Sequence, residues 1–587
     1  MTLKSIKKAR IMCMVTVICA LCLGVRLYYL CIVRHNYYSE LARDVQERTR
    51  KIKSPRGLIY DRNGLIIADN TIVYTISVVH NQITDEKLVS QKLSEILELD
   101  ISEVEKKVKK RSIRELIRTN VPEEKAKLIE EMQLEGVKVD ADYKRIYPYG
   151  ELASKVIGFT GADNQGILGL EVNYEDILTG VPGSINTVTT ARGIEIEGEP
   201  ERREEGTPGC NLITSLDVNL QMYAQEMAEL VRERHKAKRV CISMMNPQNG
   251  EIYAMVDSPE YDLNDPFTII ENIYDTDSSE ELASASDAEI INDKRNRMWR
   301  CFPTNDTYEP GSIFKIVTAC SALEDGVVSV QDQFYCPGYK LVADRRIKCH
   351  KTTGHGAETF AQGFMNSCNP VFMDVGARVG AESLYSHIEK LGLFEKTGID
   401  LPGEASSIFH KPENIGPLEL ATMSFGQSFQ ITPLQLIRAV SAVINGGTLV
   451  TPHLGMYVTD SDGNIIKKLE YEEESGAVSE ETSATMRILL RSVVAEGGGN
   501  KAYIEGYDIG GKTATSEKLP RGNGRYISSF IGFAPVDNPE IITLIMIDEP
   551  KGVYYGGTIA APVVGELYKN ILPYLGIEMG EREDEQE

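Results

Sequence analysis

The sequence predicts a multidomain α+β protein with an N-terminal transmembrane helix, and three observations lead to this class. The chain has 587 residues, which is more than one hydrophobic core usually organises. An apolar run covers residues 11–33. After it, helix-like and strand-like stretches alternate, with strands concentrated towards the C-terminus. The formal charge of −23 and the single Trp argue against nucleic acid as a partner.

The N-terminal segment has the features of an uncleaved membrane anchor. The apolar run 11–33 is long enough to cross a bilayer, and four basic residues precede it: Lys4, Lys7, Lys8 and Arg10. A cleaved signal peptide is the alternative, but no small-x-small cleavage site follows the run. The positive-inside rule then predicts a cytoplasmic tail at 1–10 and places everything after the run outside the cytoplasm, in a single-pass membrane protein.

The chain from 34 to 210 is predicted to form one α+β module without a catalytic constellation. Asp61 to Gly64 is a turn signal between two apolar runs, which indicates a β-hairpin. Residues 88–135 show helical periodicity with many charges, which predicts small surface helices. The polar stretch 195–206 closes the module.

A second globular unit is predicted from 211 to 578, followed by an acidic tail at 579–587. The unit begins with a strand at 212–217 and a helix at 220–234. A hairpin follows at 241–256, and two antiparallel strands are expected at 527–534 and 541–547. Residues 268–293 are acidic and low in aromatics, which favours an exposed insertion.

Ser312 and Lys315 form the first candidate catalytic pair. Pro310 and Gly311 interrupt the chain and an apolar run follows, so Ser312 is predicted on the first turn of a buried helix. Residues three apart share a helix face, which places the Lys315 amine beside the Ser312 hydroxyl. A lysine with a lowered pKa can activate a serine, and the helix N-terminus can hold an oxyanion. The pattern alone is weak, because the basic N-terminal tail contains the same spacing.

Two further motifs raise the specificity of this pattern. Ser367-x-Asn369 lies in a loop between apolar helices, and Lys512-Thr513-Ala514 precedes the strand-rich end of the chain. Three motifs in this order form the signature of serine acyl-transferases that react with β-lactams. From about residue 56 to 575 the chain resembles a class B penicillin-binding protein of the division and sporulation branch. Supporting pieces are Arg56-Gly57, Asp61-Arg62-Asn63-Gly64, Ser424-Phe425-Gly426-Gln427, Asn445-Gly446-Gly447 and Gly556-Gly557.

The resemblance implies a fold and an activity. The fold is an elongated α+β pedestal, of the dimerisation type, followed by a transpeptidase domain with a serine β-lactamase-like α/β fold. The activity is peptidoglycan D,D-transpeptidation, in which Ser312 attacks the bond between two D-alanines of a stem peptide and D-alanine leaves. No cofactor is required for this chemistry. β-Lactams acylate Ser312 as substrate mimics, and a polytopic membrane glycan polymerase is the implied partner.

The resemblance also implies roles for individual residues. Lys315 is the base and Ser367 passes a proton towards the leaving amine. The main-chain N–H groups of Ser312 and Thr515 form the oxyanion hole. Four residues are implied to bind the substrate. Asn369 hydrogen-bonds the peptide amide, and Lys512 shapes the local electrostatic field. Thr513 and Thr515 hold the terminal carboxylate.

One position departs from the family pattern. The third motif ordinarily ends in Gly, and Ala514 stands there instead. We expect the extra methyl group to lie on a strand that the substrate approaches closely, with function retained and β-lactam affinity altered.

Other functions remain open at this level. A D,D-carboxypeptidase or β-lactamase would use water as the acceptor, and a non-catalytic β-lactam sensor or division scaffold would need no acceptor. A long pedestal has no evident use in a carboxypeptidase or a β-lactamase. A non-catalytic sensor does not need a nucleophile, whereas Ser312 is present in this sequence.

Three cysteines and one histidine lie between the first two motifs and form a candidate metal site. Cys336, Cys349, His355 and Cys368 offer a complete tetrahedral donor set for zinc, although the spacing is not that of a short zinc finger. A disulfide between two of these cysteines is an alternative outside the cytoplasm, and free buried thiols are another. The disulfide would distort the loop that carries Ser367 and Asn369. His350 is a spare ligand.

Overall fold

The computed structural model describes residues 3–38, 41, 47–112, 114–188, 202–270 and 286–580. Most of the predicted polar stretch 195–206, the greater part of the predicted insertion 268–293 and most of the tail 579–587 lie outside the described residues. The chain forms two compact units. Unit 1 comprises 1–55, 70–144 and 180–208, and unit 2 comprises 56–69, 145–179 and 209–587. Neither unit is therefore one continuous stretch of sequence.

The N-terminal helix is a candidate membrane span. It runs over Leu3–Tyr28 and continues as a π-helix over Tyr29–Val33. The segment Lys4–Val33 contains an 18-residue stretch with a mean hydropathy of 2.2, and it is long and apolar enough to cross a membrane. This confirms the predicted apolar span, but the helix begins earlier than residue 11, so the four basic residues lie on its first turns.

The remainder of unit 1 combines helices and strands around a small core. Its helices are Glu86–Leu97, Ile101–Val108 and Glu123–Glu131, with a 3₁₀ turn at His80–Gln82. Its strands are Glu47–Ile52, most of Ile66–Val78, Glu115–Val121, most of Val137–Ile146, Gly183–Val188 and Arg202–Glu204. Buried aliphatic residues such as Leu93, Val104 and Ile129 form the core.

The prediction of helices alone over 88–135 was wrong at one place. Glu115–Val121 is a strand that pairs antiparallel with Ile66–Val78. Only Ile117 and Val121 of this strand are buried, and Asn120 has a positive φ of 55° that breaks the alternation. A mostly polar strand with an irregular register does not show the period of two by which strands are recognised.

A five-stranded sheet is the centre of unit 2. Its spatial order is Ile252–Ser258, Arg239–Met245, Ile541–Asp548, Tyr526–Ala534 and Gly510–Glu517, with all neighbours antiparallel. This confirms the predicted hairpin at 241–256 and the predicted antiparallel pair near the C-terminus. Every residue of the middle strand is buried, because helices cover both faces of the sheet. Gly510–Glu517 is an edge strand.

Two helical layers enclose this sheet. Val218–His235 and Ala561–Tyr574 pack on one face, where Phe530 and Ile545 lie in their shared core. The other face supports a larger core. Its helices are Phe302–Asn305, Lys315–Glu324, Phe360–Met365, Asn369–Val379, Ala381–Lys390, Pro417–Met423, Pro433–Ile444 and Glu480–Ala495.

Shorter elements complete unit 2. The strands are Ile59–Tyr60, Asn211–Thr214, Gln333–Cys336, Tyr339–Val342, Arg345–Lys348, Gly356–Thr359, Thr448–Val450, Gly455–Thr459, Ile465–Lys468 and Glu473–Ser475. The helices are Ser154–Ile157, Gly169–Asn173, Glu175–Leu178, Asp287–Trp299 and Gly556–Ile559, with 3₁₀ turns at Gly311–Phe314, Pro412–Asn414 and Asn500–Ala502. The helix Asp287–Trp299 corrects the end of the predicted insertion, because a capping box of Ser286 and Glu289 starts a helix there.

The predicted hairpin after the anchor is confirmed. Ile59–Tyr60 pairs antiparallel with the start of Ile66–Val78. The fully buried Asp61 carboxylate accepts hydrogen bonds from the N–H groups of Asn63 and Leu65 at 2.8 Å and closes the turn. It also accepts from the N–H of Val218 at 3.2 Å, which ties this turn to the start of a core helix.

Candidate functional site

Ser312 lies on a 3₁₀ turn, Gly311–Phe314, that runs directly into the helix Lys315–Glu324. We call Gly311–Phe314 the nucleophile turn. The sequence predicts Ser312 on the first turn of this helix, and the tighter 3₁₀ geometry is the only difference. Ile313 and Phe314 are fully buried, and Phe314 packs against Phe429 with ring centroids 4.5 Å apart. The turn is therefore held firmly while Ser312 itself stays half-buried.

Two glycines fix the entry to the nucleophile turn. Gly311 has a φ of +57° and its N–H donates to the carbonyl of Gly426 at 2.9 Å. A Cβ atom on Gly311 would lie 2.4 Å from Ser516 Oγ, and one on Gly426 would lie 2.0 Å from Gly311 O. Both positions need the left-handed conformation and the absence of a side chain.

We expect Gly426→Ala to destabilise the protein and to slow acylation of Ser312. A side chain at a positive φ costs about 1 kcal/mol or more. In addition, the new methyl group must push the Gly311 carbonyl away, which displaces the nucleophile turn. Gly446→Ala is the matched control, since Gly446 has a φ of +94° with nothing within 4 Å of its Cβ position. Thermal unfolding and acylation rates measure both effects. Equal losses of stability and acylation rate in the two variants would show that the close approach of Gly426 to the Gly311 carbonyl has no special role.

Lys315 connects the nucleophile turn to the second motif. Its side chain is fully buried, and Nζ donates to Ser367 O at 2.7 Å, Ser367 Oγ at 3.2 Å and Asn369 Oδ1 at 2.7 Å. Burial lowers the pKa of Lys315 to about 8, although the negative fields of Cys368, Cys349 and Glu358 oppose the shift. Within the described part of the chain, no hydrogen bond joins Nζ to Ser312 Oγ. The Lys315 amine is therefore one turn from Ser312 along the chain, as predicted, but its hydrogen bonds go to Ser367 and Asn369 of the second motif.

Ser367 occupies a tight turn between the helices Phe360–Met365 and Asn369–Val379. Its φ is +53°, which is unusual for a residue with a side chain. The turn is closed by hydrogen bonds from the N–H of Ser367 to Phe364 O at 3.0 Å and from the N–H of Cys368 to Gly363 O at 2.9 Å. This geometry aims the Ser367 hydroxyl and the Asn369 amide at the same lysine.

Lys512 lies on the edge strand with its side chain fully buried. Its pKa is well below the usual value, first because of burial and second because of the charge on Lys315. The Lys512 ammonium group lies 3.5 Å from Thr513 O and 5.9 Å from the centroid of the Phe364 ring. The structure therefore brings the three predicted motifs to one place in unit 2.

The two threonines of the edge strand alternate with the buried residues. Thr513 and Thr515 are half-buried, while Lys512, Ala514 and Ser516 are buried. Thr515 Oγ1 accepts a hydrogen bond from the N–H of Gly556 at 3.0 Å. Its hydroxyl proton can still be donated to a ligand.

Ala514 lies on the edge strand Gly510–Glu517, and its side chain faces the interior of the protein. Its side chain is only 3% exposed and belongs to the core. A Cβ on Gly311 would be 3.5 Å from the Ala514 methyl group, so this methyl faces the nucleophile turn. Because side chains alternate along a strand, the third residue of the motif shares the buried face with Lys512.

Glu309 is a site residue that sequence reasoning missed. It is 8% exposed, and its carboxylate accepts from the N–H of Ser428 at 2.9 Å and pairs with Arg521 at 2.5 Å. Arg521 follows the Lys512 strand, and Ser428 follows Gly426. One carboxylate thus joins three segments around Ser312. The only sequence signal is an acidic residue directly before Pro310-Gly311.

The four predicted metal ligands come together in unit 2. One donor atom each from Cys336, Cys349, His355 and Cys368 lies within 4.8 Å of all the others. Cys349 Sγ is 3.7 Å from His355 Nδ1, close to the separation of about 3.6 Å that tetrahedral Zn–S and Zn–N bonds require. The pKa of the Cys349 thiol is lowered, chiefly by a hydrogen bond with Cys368. All eleven cysteines, which are among the described residues, are free thiols in the structure.

The surroundings of this cluster also fit a cation. Glu358 is 3% exposed, and its Oε1, which has no hydrogen-bond partner among the described residues, lies 3.9 Å from His355 Nδ1. A buried carboxylate beside the donor atoms favours a positive charge in the cluster. The spare candidate His350 is also near, with Nδ1 3.8 Å from Cys349 Sγ. The donor chemistry of the cluster is that of a structural zinc site.

Two protein-family models match the chain. The penicillin-binding protein transpeptidase domain matches residues 240–569, and the penicillin-binding protein dimerisation domain matches residues 51–214. Stage V sporulation protein D of Bacillus subtilis (strain 168) is 37% identical over 570 residues, covering 96% of this chain and 84% of the relative. A probable peptidoglycan D,D-transpeptidase, PenA of Neisseria gonorrhoeae, is 29% identical over 565 residues, covering 95% and 90%.

A solved structure has the same fold. The crystal structure of penicillin binding protein 2X from Streptococcus thermophilus matches with a TM-score of 0.72 at 21% identity, over 90% of this chain and 81% of that one. The chain therefore belongs to the penicillin-binding proteins with a transpeptidase domain, in their class B branch of division and sporulation proteins.

Proposed function

We propose that Ser312 is the nucleophile of this serine-type peptidoglycan D,D-transpeptidase. The Ser312 oxygen attacks the carbonyl carbon between the two D-alanines of a stem peptide. An ester forms, the amide bond breaks, and D-alanine leaves with the proton that its amine needs. An amine from a neighbouring strand then attacks the ester, which restores the Ser312 hydroxyl and leaves a new amide cross-link. Family membership and the names of the relatives support this reaction.

The buried Lys315 amine is the observation that carries the proposal. It lies one helical turn from Ser312 and has a pKa lowered to about 8. Among the residues that the structure describes, no carboxylate is a hydrogen-bond partner of this amine. A lysine in such a pocket is partly neutral near pH 7.5 and can take the Ser312 proton. Ser367 Oγ, 3.2 Å from Nζ, can carry that proton to the leaving amine.

The remaining site residues bind and orient the substrate in this proposal. Asn369 hydrogen-bonds the peptide amide, and Lys512 contributes positive potential under the reacting bond. Thr513 and Thr515 hold the terminal carboxylate from the half-exposed side of the edge strand. The N–H groups of Ser312 and Thr515 hold the oxyanion. An edge strand suits this task, because an extended peptide can add alongside it.

The rate of Ser312 acylation should rise with pH through about 8. The reactive form has a neutral Lys315, and its pKa of about 8 means that protonation removes the base as the pH falls. Second-order rate constants for a penicillin between pH 6 and 9.5 measure this profile. A rate that is flat across this range would contradict Lys315 as the base.

The fate of the acyl group distinguishes the competing functions. We expect the purified protein, given a D-alanyl-D-alanine stem peptide and an acceptor amine, to release D-alanine and form the cross-linked dimer. A carboxypeptidase would form only the shortened peptide, and a sensor would release nothing. Mass spectrometry of the products separates the three results. Ser461→Ala, which alters an exposed loop serine, is the control for Ser312→Ala.

The candidate membrane span supports a placement of the domains. We propose that residues 1–10 lie in the cytoplasm, 11–33 cross the membrane, and the pedestal 34–210 and transpeptidase domain 211–578 lie outside. The basic residues Lys4, Lys7, Lys8 and Arg10 support this orientation. A polytopic glycan polymerase is the proposed partner, because cross-linking must follow the synthesis of new glycan strands.

We also propose that Cys336, Cys349, His355 and Cys368 hold a structural zinc ion. Catalysis by Ser312 needs no metal. When bound, zinc would stabilise the local fold by holding four donors together, including Cys368, the middle residue of the second motif. Cys368 lies between Ser367 and Asn369, so the cluster supports the turn that these residues share.

A further inference from the structure

A strongly basic ribbon connects two of the proposed zinc ligands. Tyr339–Val342 and Arg345–Lys348 pair antiparallel between Cys336 and Cys349. We call residues 339–351 the basic ribbon. It contains one acidic residue, Asp344, and five basic residues: Lys340, Arg345, Arg346, Lys348 and Lys351. This is a marked local reversal of sign in a chain with a net charge of −23.

The two faces of the basic ribbon differ. Val342 and Ile347 pack against the core, and Lys340 pairs with Asp374. The register places Leu341 opposite Arg346 and Tyr339 opposite Lys348, so these four residues share the other face. That face is turned to solvent: Leu341 is 65% exposed, and the Arg346 guanidinium lies 3.6 Å from the centroid of the Tyr339 ring.

The basic ribbon touches the catalytic motifs. The Lys348 carbonyl accepts a hydrogen bond from Asn369 Nδ2 at 3.3 Å, and Asn369 Oδ1 accepts from Lys315 at 2.7 Å. The ribbon is also fixed at its base, where the N–H of Cys349 donates to Gly338 O at 2.9 Å. The main chain at Lys348 is therefore held beside the residue proposed to bind the peptide amide, and the side chains of the basic ribbon extend from there.

Few of these charges are neutralised. The Lys348 and Lys351 side chains are exposed and make no ion pair or hydrogen bond with any residue that the structure describes. Arg345 lies 3.8 Å from Asp344, but both side chains are largely exposed, so this contact is weak. Uncompensated positive charge at the mouth of a site attracts an anionic ligand.

We propose that the basic ribbon binds a side-chain carboxylate of the peptide substrate, on the part of the peptide that extends past Asn369. This inference rests on the proposed function and narrows it to acidic peptides. The selecting charges are Arg346 and Lys348. At an ionic strength of 0.1 M such charges act over about 10 Å, so direct contact with every residue is not required.

Two penicillins that differ only by a carboxylate in the side chain test this proposal. Benzylpenicillin and its α-carboxy derivative acylate the same serine, and the ratio of their second-order rate constants cancels effects common to both. The full chain in detergent is compared with Arg346→Gln/Lys348→Gln. Lys467→Gln/Lys468→Gln is the matched control, because these lysines lie on the exposed edge strand Ile465–Lys468, which pairs with Gly455–Thr459.

We expect the ribbon variant to lower the rate for the carboxylated penicillin, relative to benzylpenicillin, by about threefold to tenfold. The control variant keeps the ratio of the wild type. The ratio should also fall with added salt in the wild type and much less in the ribbon variant. Peptides ending in D-alanyl-D-alanine provide a second readout: KM should rise in the variant for a glutamate peptide and not for its glutamine analogue.

An unchanged ratio, or equal changes in the ribbon variant and the control, would overturn the inference. An equal fall of both rates in the ribbon variant would also overturn it, since the ribbon would then serve only the local fold. If the wild type reacts with neither penicillin, the proposed function fails and this inference fails with it. If both penicillins acylate the wild type but the ratio of their rate constants does not change in the ribbon variant, only the inference about the basic ribbon fails.

Discussion

Replacing Lys315 with Met lowers the rate of Ser312 acylation by about 10²- to 10⁴-fold, the range that a general base contributes. The Met side chain preserves most of the packing against the Phe372 ring, whose centroid lies 5.4 Å from Lys315 Nζ. It removes the only amine that donates to both Ser367 Oγ and Asn369 Oδ1 in the part of the chain that the structure describes. Stopped-flow or gel-based measurement with a fluorescent penicillin gives the rate.

The stability of this variant is a second readout. Loss of the Lys315 hydrogen bonds takes a donor from three acceptors, Ser367 O, Ser367 Oγ and Asn369 Oδ1, and each one left unpaired costs about 1–3 kcal/mol. The substitution also removes a buried charge that itself carries a cost. We therefore expect only a modest shift of the unfolding temperature. Lys396→Met, at an exposed position, should leave both properties unchanged. Acylation of Lys315→Met within threefold of the wild type would contradict the assignment of the base.

The purified protein should contain about one zinc ion per chain, and Cys349→Ser should lose it. We expect this variant to unfold at a lower temperature and to acylate at least about tenfold more slowly, because the turn that carries Ser367 and Asn369 loses its support. Metal analysis and thermal unfolding measure the first two effects. Cys210→Ser is the control, since Cys210 is half-buried and lies outside the cluster.

The alternatives predict different results for the same samples. Less than about half an equivalent of zinc in reduced wild-type protein would contradict the metal site. A mass lower by two hydrogens, restored by a reducing agent, would instead show a disulfide among these cysteines. Free thiols with no zinc would leave the cluster as ordinary buried cysteines.

The three catalytic motifs could be predicted because each is short and local. Ser312 and Lys315 are neighbours on any helical turn, and Ser367 and Asn369 flank a loop that the apolar pattern marks. Their assembly in space followed from the family resemblance rather than from spacing. The four metal donors could be proposed from their types alone, although Cys336 and Cys368 lie 32 positions apart in sequence.

Other parts of the site depend on contacts between distant segments. The pairing of Glu309 with Arg521 and the approach of the Lys348 carbonyl to Asn369 involve loops whose paths no periodicity describes. The orientation of Ala514 could have been read from strand alternation, since Lys512 must face inward. The strand Glu115–Val121 was missed because its charges conceal a pattern that only two buried residues carry.

The most direct test of the central claim is to locate the covalent adduct. The wild-type protein is treated with benzylpenicillin, digested with a protease, and its peptides are analysed by mass spectrometry. We predict one penicilloyl group per chain, on the peptide that contains Ser312, and no adduct in Ser312→Ala. An adduct on any other residue, or equal labelling of the two proteins, would contradict the account.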